Sequence, residues 1–498
     1  MIKKHTSMFL SVLRVGAAIA AVGLLLAVPL RAQNSRGTIL GHVQDPSGAA
    51  IPGATVTYRN VATGVTGTFN TTSSGDYVFV NLIPGTYETT CEAKGFKRGV
   101  SSQLVLQVDH TLRQDFALEV GPVTQEITVS GAAQMVQTDN ASLGGVISDR
   151  LMEALPLNGR DFTSLIALDA GVTQPVGGIQ ASVFDQHGLN DTWRMASVNG
   201  ARPGSISYLI DGITNNDMFF AKAGVVPSEY SVEEFKVQTG LYSAEYGSGS
   251  AQINVAIKSG TNSLHGNAYD FLRNAAFAPD NELNIEQNAL HGTNPPLSDP
   301  LKQQNQFGGT FGGPIKRDRA FFFGSYEGGR RRTGGTAGSM MVPTNAERGG
   351  DFSDWPYPIY DPSTTVVTGT SPLTITRTQF PGNKITGSLN PIAQKLLAYS
   401  PAANASCTMP CQNFFGTNPG SSITTNTVTG RVDYRFSNRD QFSSSAVIWR
   451  DAQPYPSIIP VNSSVDLTRS QLYGVDWQHS FGPSSKRCAG RVQPRVLP

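Results

Sequence analysis

Two stretches in the last fifth of the chain alternate strictly between apolar and polar residues, a period that only an extended strand with two different faces satisfies. From Thr427 to Phe436, one face carries Val428, Gly430, Val432, Tyr434 and Phe436, and the other carries Thr429, Arg431, Asp433 and Arg435. Between residues 471 and 481, Tyr473, Val475, Trp477 and Phe481 oppose Gly474, Asp476, Gln478 and Ser480. Strands of about ten residues, apolar on one side and aromatic near their ends, are what a membrane barrel demands. A water-soluble sandwich alternates too, and the charges at Arg431 and Arg435 do not separate the two. Composition agrees with a β-rich chain: 39% apolar residues, only 15% charged, and 52 glycines among 498 residues. That length has room for about three domains. A net charge of +1 supplies no field for nucleic acid, and Arg330-Arg331-Arg332 reads as a solvated or lumen-facing loop.

The N-terminus bears on location. Lys3, Lys4 and Arg14 precede an uncharged apolar run from Val15 to Leu30, which ends at Arg31-Ala32-Gln33. This is the layout of an export signal over residues 1–32, and the run is shorter than the ~20 residues of a spanning helix. Nothing else in the sequence resembles a transmembrane helix. If the mature chain enters a membrane it does so as a closed barrel, because lipid leaves no other way to satisfy the backbone.

Residues 36–118 read as a small antiparallel sandwich. Strands at Thr38 to Val43, Ala54 to Arg59, Asp76 to Val80 and Thr86 to Thr90 are separated by turn groups at Asp45-Pro46-Ser47-Gly48, Ser74-Gly75-Asp76 and Pro84-Gly85. Residues 119–135 form an extended connector. In residues 136–258, Ile147 to Leu155 has helical spacing up to Pro156, Asn158-Gly159 suits a tight turn, and Asp161 is placed to cap a helix from Phe162 to Leu168. Tyr208 to Ile210, Glu234 to Gln238 and Ala251 to Ile257 are short apolar strands, the first ending at Asp211-Gly212. Residues 259–483 carry the alternating strands, with a long Pro/Gly/Ser/Thr-rich segment at 328–420 that suits an extracellular loop.

Several of these pieces resemble known families. Gly41-His42-Val43-Gln44-Asp45-Pro46-Ser47-Gly48, Gly75-Asp76-Tyr77-Val78-Phe79, Leu82-Ile83-Pro84-Gly85-Thr86-Tyr87 and Lys94-Gly95-Phe96 resemble the carboxypeptidase regulatory-like domain. That resemblance implies a transthyretin-like, carbohydrate-binding-like β-sandwich and no peptidase activity. Tyr208 to Ile213, the segment 244–262, Leu157 to Phe162, Asn305 to Ile315 and Phe321 to Glu327 resemble TonB-dependent outer-membrane receptors of the Oar-like type. The implied fold is mainly β: the N-terminal sandwich, an α+β plug over 136–258, and the start of an antiparallel transmembrane β-barrel over 259–483. Residues 484–498 are basic, free of aromatics and read as an aberrant tail.

The resemblance implies a cell outer membrane location, reached through the export signal. The implied partners are a TonB-type periplasmic energiser, outer-membrane lipid and a scarce small solute such as a siderophore, an oligosaccharide or a peptide. Glu126, Ile127, Thr128 and Val129 resemble the TonB box, which would add a strand to the energiser's sheet edge. The same four residues fit equally the last strand of the sandwich or the first of the plug. Cys407 and Cys411 read as a local disulfide, with zinc as the rival reading, while Cys91 and Cys488 read as unpaired. His42 and His110 stand in no metal motif, and no His-Glu-x-x-His or Gly-x-Ser-x-Gly element supports catalysis, so no catalytic residue, cofactor or metal is expected.

Two functions compete: an outer-membrane receptor or transporter, and a surface adhesion or carbohydrate-binding protein that uses the sandwich; a secreted hydrolase fits neither. About six barrel-type strands between Gly266 and Phe481 cannot enclose a plug, for which relatives use about 22. With Pro498 in place of a terminal aromatic, the expectation is a C-terminally truncated, non-transporting version. A frameshift, an early stop or a mis-called gene end accounts for that, as does a small barrel built from several chains.

Overall fold

The N-terminal unit places β1 (Gly37–Gln44), β2 (Thr55–Asn60), β3 (Thr66–Asn70), β4 (Asp76–Leu82), β5 (Gly85–Glu92), β6 (Arg98–Leu106), β7 (Thr111–Arg113) and β8 (Phe116–Ala117) in two facing sheets. This is seen in a computed structural model that describes residues 36–492 apart from 124–125, 129–141, 156, 158–159, 161, 174–195, 203, 218–221, 243–245, 248, 278–300, 370–373, 408–409, 438 and 482–483. The export signal at 1–32, the Asn158-Gly159 turn, Asp161 and Val129 therefore lie outside the described residues. One sheet runs β4-β1-β7 with β8 also on β1. The other runs β3-β2-β5-β6-β9, where β9 is Glu126–Thr128. Alternate residues of β1 point inward, and Ile39, Val43, Val56, Tyr77, Phe79, Tyr87, Leu104 and Phe116 form one closed core. Gly41 is required there, because a Cβ would run into the Gln114 carbonyl that accepts the Tyr77 hydroxyl.

The antiparallel expectation needs correction, since β7 and β8 run parallel to β1 and β9 runs parallel to β6. Strand β6 escapes a sequence reading for a physical reason. A register shift opposite Tyr87 and Thr89, with Gln103 at φ +61°, inserts an extra residue and reverses the inward parity mid-strand.

The plug consists of β10 (Leu143–Ser148), helix α1 (Asp149–Ala154), a 3-10 turn (Phe162–Leu168), the ribbon β11 (Val172–Thr173) with β12 (Ser197–Val198), then β13 (Ile206–Ile210), β14 (Ile213–Thr214), the ribbon β15 (Asn216–Asp217) with β16 (Lys222–Ala223), β17 (Val232–Gly240) and β18 (Ala251–Ile257). Its main sheet runs β10-β17-β18-β13-β14. The helix expected from Ile147 starts only at Asp149: Ile147 and Ser148 instead pair with Phe235 and Glu234, so sheet pairing overrides local spacing. Asp211 and Gly212 join β13 to β14 with φ of +49° and +75°, the left-handed pair that a two-residue hairpin turn needs. Leu209 just before it is fully buried.

The remaining strands form one antiparallel sheet of seven in chain order: β19 (His265–Asn274), β20 (Leu301–Lys316), β21 (Ala320–Thr333), β26 (Ser422–Arg435), β27 (Asp440–Tyr455), β28 (Ser464–Phe481) and β29 (Ser484–Val492). The short ribbons β22 (Thr336–Met340) with β25 (Phe414–Asn418) and β23 (Val366–Thr368) with β24 (Thr374–Thr376) belong to the long connection between β21 and β26. Strand β29 corrects the expected tail. Ser484–Val492 pairs with β28 from Phe481 back to Tyr473, because main-chain pairing needs no aromatic side chains. Connections of two to four residues lie at one end of the sheet and the long ones at the other, as in outer-membrane barrels. Val428 and Val432 are 45% and 40% exposed on the outer face, whereas Thr429 and Arg431 between them are 1% and 8% exposed. Among the described residues no helix is long and apolar enough to cross a membrane.

The sandwich core draws only on residues from Ile39 to Leu118. Residues 34–120 expressed alone should therefore give a β-type circular dichroism spectrum and a cooperative melt; a disordered spectrum would contradict the separate core.

Candidate functional site

A buried charge cluster lies where the plug meets the barrel wall. Alternation on β26 turns Arg431 inward, against the Asp211-Gly212 turn of the plug. Its guanidinium donates to Asp211 Oδ1 at 2.9 Å, to the Ile257 carbonyl at 2.8 Å, and to both Asp433 oxygens at 2.8 and 3.0 Å. Asp433 also accepts from Ser259 Oγ at 2.8 Å, and Asp211 Oδ1 from the Ile257 N–H at 3.1 Å. A buried cation so completely paired holds its neighbours in one arrangement. Nearby, Gly474 of β28 leaves room for Ile213, whose side chain would collide with any Cβ there. Apolar packing crosses the same junction: Phe323, Val447 and Leu472 of the wall join the plug core of Phe162, Tyr208, Phe235 and Ile253.

A second contact seats the plug on the first wall strands. Arg160, at φ +54°, donates to Glu229 Oε1 at 2.6 Å and to the Tyr230 hydroxyl at 2.8 Å. Its guanidinium also lies 4.5 Å from the centre of the Phe271 ring. Tyr230 stacks on Tyr269, whose hydroxyl donates to Glu327 at 2.8 Å. Burial pushes the Glu229 carboxyl up to about 7, opposed by Arg160 beside it. Arg160 lies within the Leu157 to Phe162 motif, which by itself assigns it no role. The available signal was one cation in a plug segment otherwise built from apolar residues and turn formers.

The other face of the plug sheet is polar and also covered. Glu234, Lys236 and Gln238 of β17 stand beside Gln252 and Asn254 of β18, all at most 7% exposed. Glu234 accepts the Val108 N–H of the sandwich, and Lys236 Nζ donates to the Asp109 carbonyl at 2.6 Å and to its carboxylate at 3.3 Å. The sandwich touches the wall as well. Arg36 reaches Ser443, Gln441 and Asp476 at 2.7, 3.2 and 3.3 Å, and Arg435 donates to the Tyr58 hydroxyl at 3.2 Å.

Of the residues singled out from sequence, Glu126, Ile127 and Thr128 form β9 on the edge of the sandwich, with Ile127 opposite Gly99 and Glu126 paired to Arg98 at 3.1 Å. They are not gathered with the plug seat. Cys407 and Cys411 are bonded to each other, which leaves neither sulfur for a metal, and Cys91 is free and buried. Among the described residues no group of three or more His, Cys, Asp or Glu could hold a metal ion.

Residues 256–486 match the family model of the outer membrane beta barrel domain, and residues 38–119 that of the carboxypeptidase regulatory-like domain. The TonB-dependent transporter Oar of Myxococcus xanthus is 26% identical over 330 residues, which cover 63% of this chain and 28% of that protein. The siderophore receptor PirA of Acinetobacter baumannii superposes with a TM-score of 0.39 at 14% identity, covering 72% of this chain and 41% of that one. The transporter YddB of Escherichia coli gives 0.37 at 13% identity, covering 67% and 36%. The chain thus spans well under half the length of each of these relatives.

Burial moves the Glu234 carboxyl from its ordinary 4.5 up to about 8, against the Val108 N–H that favours the charged form. Glu233 and Asp149 push the same way as burial and Lys236 opposes it. Between those two values the folded chain holds a proton that the unfolded chain has lost. The stabilising contribution is therefore complete below about 4.5 and is lost as pH rises through about 8. Glu234→Gln removes that dependence, so in detergent its melting temperature should gain on the parent's as pH rises from about 5 to 8. Parallel profiles would show that Glu234 ionises freely in the folded state.

Proposed function

We propose that this chain is a TonB-dependent outer-membrane receptor that captures a scarce small solute on its extracellular side and answers to a pull from a periplasmic energiser. The observation that carries this reading is the plug sheet seated inside an outward-apolar wall through Arg431, with the wall's short turns and the sandwich at one end and the long connections at the other. The plug sheet is separate from the wall sheet and meets it through Arg431 and the apolar packing around Phe323, Val447 and Leu472, so it can shift without the wall unfolding. The work is non-covalent: binding, and then displacement of the plug by force applied to the chain that precedes it.

Within that scheme, residues 334–421 with their two ribbons and the Cys407–Cys411 bond would contact the solute, whose class (siderophore, oligosaccharide or peptide) is set by loop chemistry. Glu126, Ile127, Thr128 and Val129 would be the handle. Support for that assignment is their place in the chain between sandwich and plug, where Glu126–Thr128 form a strand at a sheet edge whose main-chain groups can pair with a partner.

Ile127→Pro removes one N–H and fixes φ. The purified periplasmic domain of the energiser should bind this variant at least ten-fold more weakly than the parent chain, both in detergent, with the dichroism spectrum unchanged. Equal binding would place the handle elsewhere.

A further inference from the structure

We infer that the N-terminal sandwich is a reversible cap on the periplasmic face of the plug and wall, leaving and returning as a unit while both apolar cores stay folded. The capping motion goes beyond the receptor reading, while the naming of its face and the pull rest on that reading. The first observation is that the two cores do not meet. One contains sandwich residues alone, and the other contains plug residues with Phe323, Val447 and Leu472 of the wall. Plug and wall are joined by apolar burial, whereas the sandwich has no share in it.

The cap is held instead by hydrogen bonds and ion pairs: Arg36 to Asp476, Lys236 to Asp109, Glu234 to the Val108 N–H, Arg435 to Tyr58, and Asn262 to the Ala62 and Thr63 carbonyls. Contacts of this kind exchange readily with water. A small cavity of about 50 Å³ also lies in the junction, between Tyr58 and Tyr87 of the sandwich and Phe321 and Arg435 of the wall.

The plug face turned toward the cap is made for water. Gln238 and Gln252, directly opposite each other on β17 and β18, are 1% and 0% exposed, yet neither side-chain amide has a hydrogen-bond partner. Burying such groups unpaired is unfavourable. Strand β9 adds a direction, since it pairs with β6 of the cap and precedes the plug in the chain. A pull on β9 therefore loads the cap before it loads the plug.

Two amides on different parts of the junction report the motion. The Val108 N–H is held by Glu234 of the plug, and the Asn262 N–H, just before the wall, by the Ala62 carbonyl of the sandwich. If the cap leaves as a unit, hydrogen exchange of the full chain in lipid nanodiscs should give these two amides protection within about three-fold of each other. Both should fall at least ten-fold below Leu209 of the plug and Val56 of the sandwich core. Arg36→Gln, which removes the ion pair to Asp476, should lower their protection by a common factor and leave Leu209 and Val56 unchanged. Protection that differs more than ten-fold between Val108 and Asn262, or that equals the core values, would overturn the inference. The comparison in the parent chain decides it even if the variant does not fold.

Discussion

One guanidinium organises the interior. Arg431 sits where water is excluded, and a lone cation there would cost several kcal/mol. That cost is offset only because the plug brings Asp211 and the Ile257 carbonyl to it from one side while Asp433 meets it from its own strand. Every group in this set constrains another. Asp211 must occupy a left-handed turn to aim its carboxylate while receiving the Ile257 N–H, which fixes the register of β13 on β18. The wall must keep β26 in phase so that Arg431 faces inward and Val428 and Val432 face outward.

From that constraint the layering follows. Plug and wall share apolar burial around Phe323, Val447 and Leu472, and Arg160 adds a second seat on β19 through Phe271 and Tyr230. The sandwich stands outside this arrangement with a complete core of its own and a polar seam. Apolar burial is the larger and less reversible term, and polar seams exchange with water at little net change. The molecule is therefore graded, with a wall and plug that cohere and a sandwich that adheres.

Much of this was legible in the sequence where a residue's neighbours on its own strand decide its direction. The inward and outward faces of residues 427–436 and 473–478, and the turn at Asp211-Gly212, are of that kind. What escaped depends on distant partners. Strand β6 hides its period behind an inserted residue at Gln103, and β7 and β8 exist because β1 offers them a parallel edge. Ile147 has the spacing of a helix but joins Phe235 in a sheet. Ser484–Val492 has no pattern of its own and is placed by β28. The roles of Arg160 and Arg431 were hidden for the same reason, because their carboxylate partners Glu229 and Asp211 lie far away in the chain.

The central claim is that plug and wall form one body through the Arg431–Asp211 contact, and a double-mutant cycle in lipid vesicles tests it most directly. Arg431→Gln, Asp211→Asn and the pair would be unfolded in urea alongside the parent chain. Arg431→Gln, which leaves two carboxylates without their cation, should cost about 3–5 kcal/mol. The two changes should couple, the pair costing less than the sum by about 1–3 kcal/mol. Strict additivity, with each single change near zero, would mean that the plug rests in the wall without being held by it.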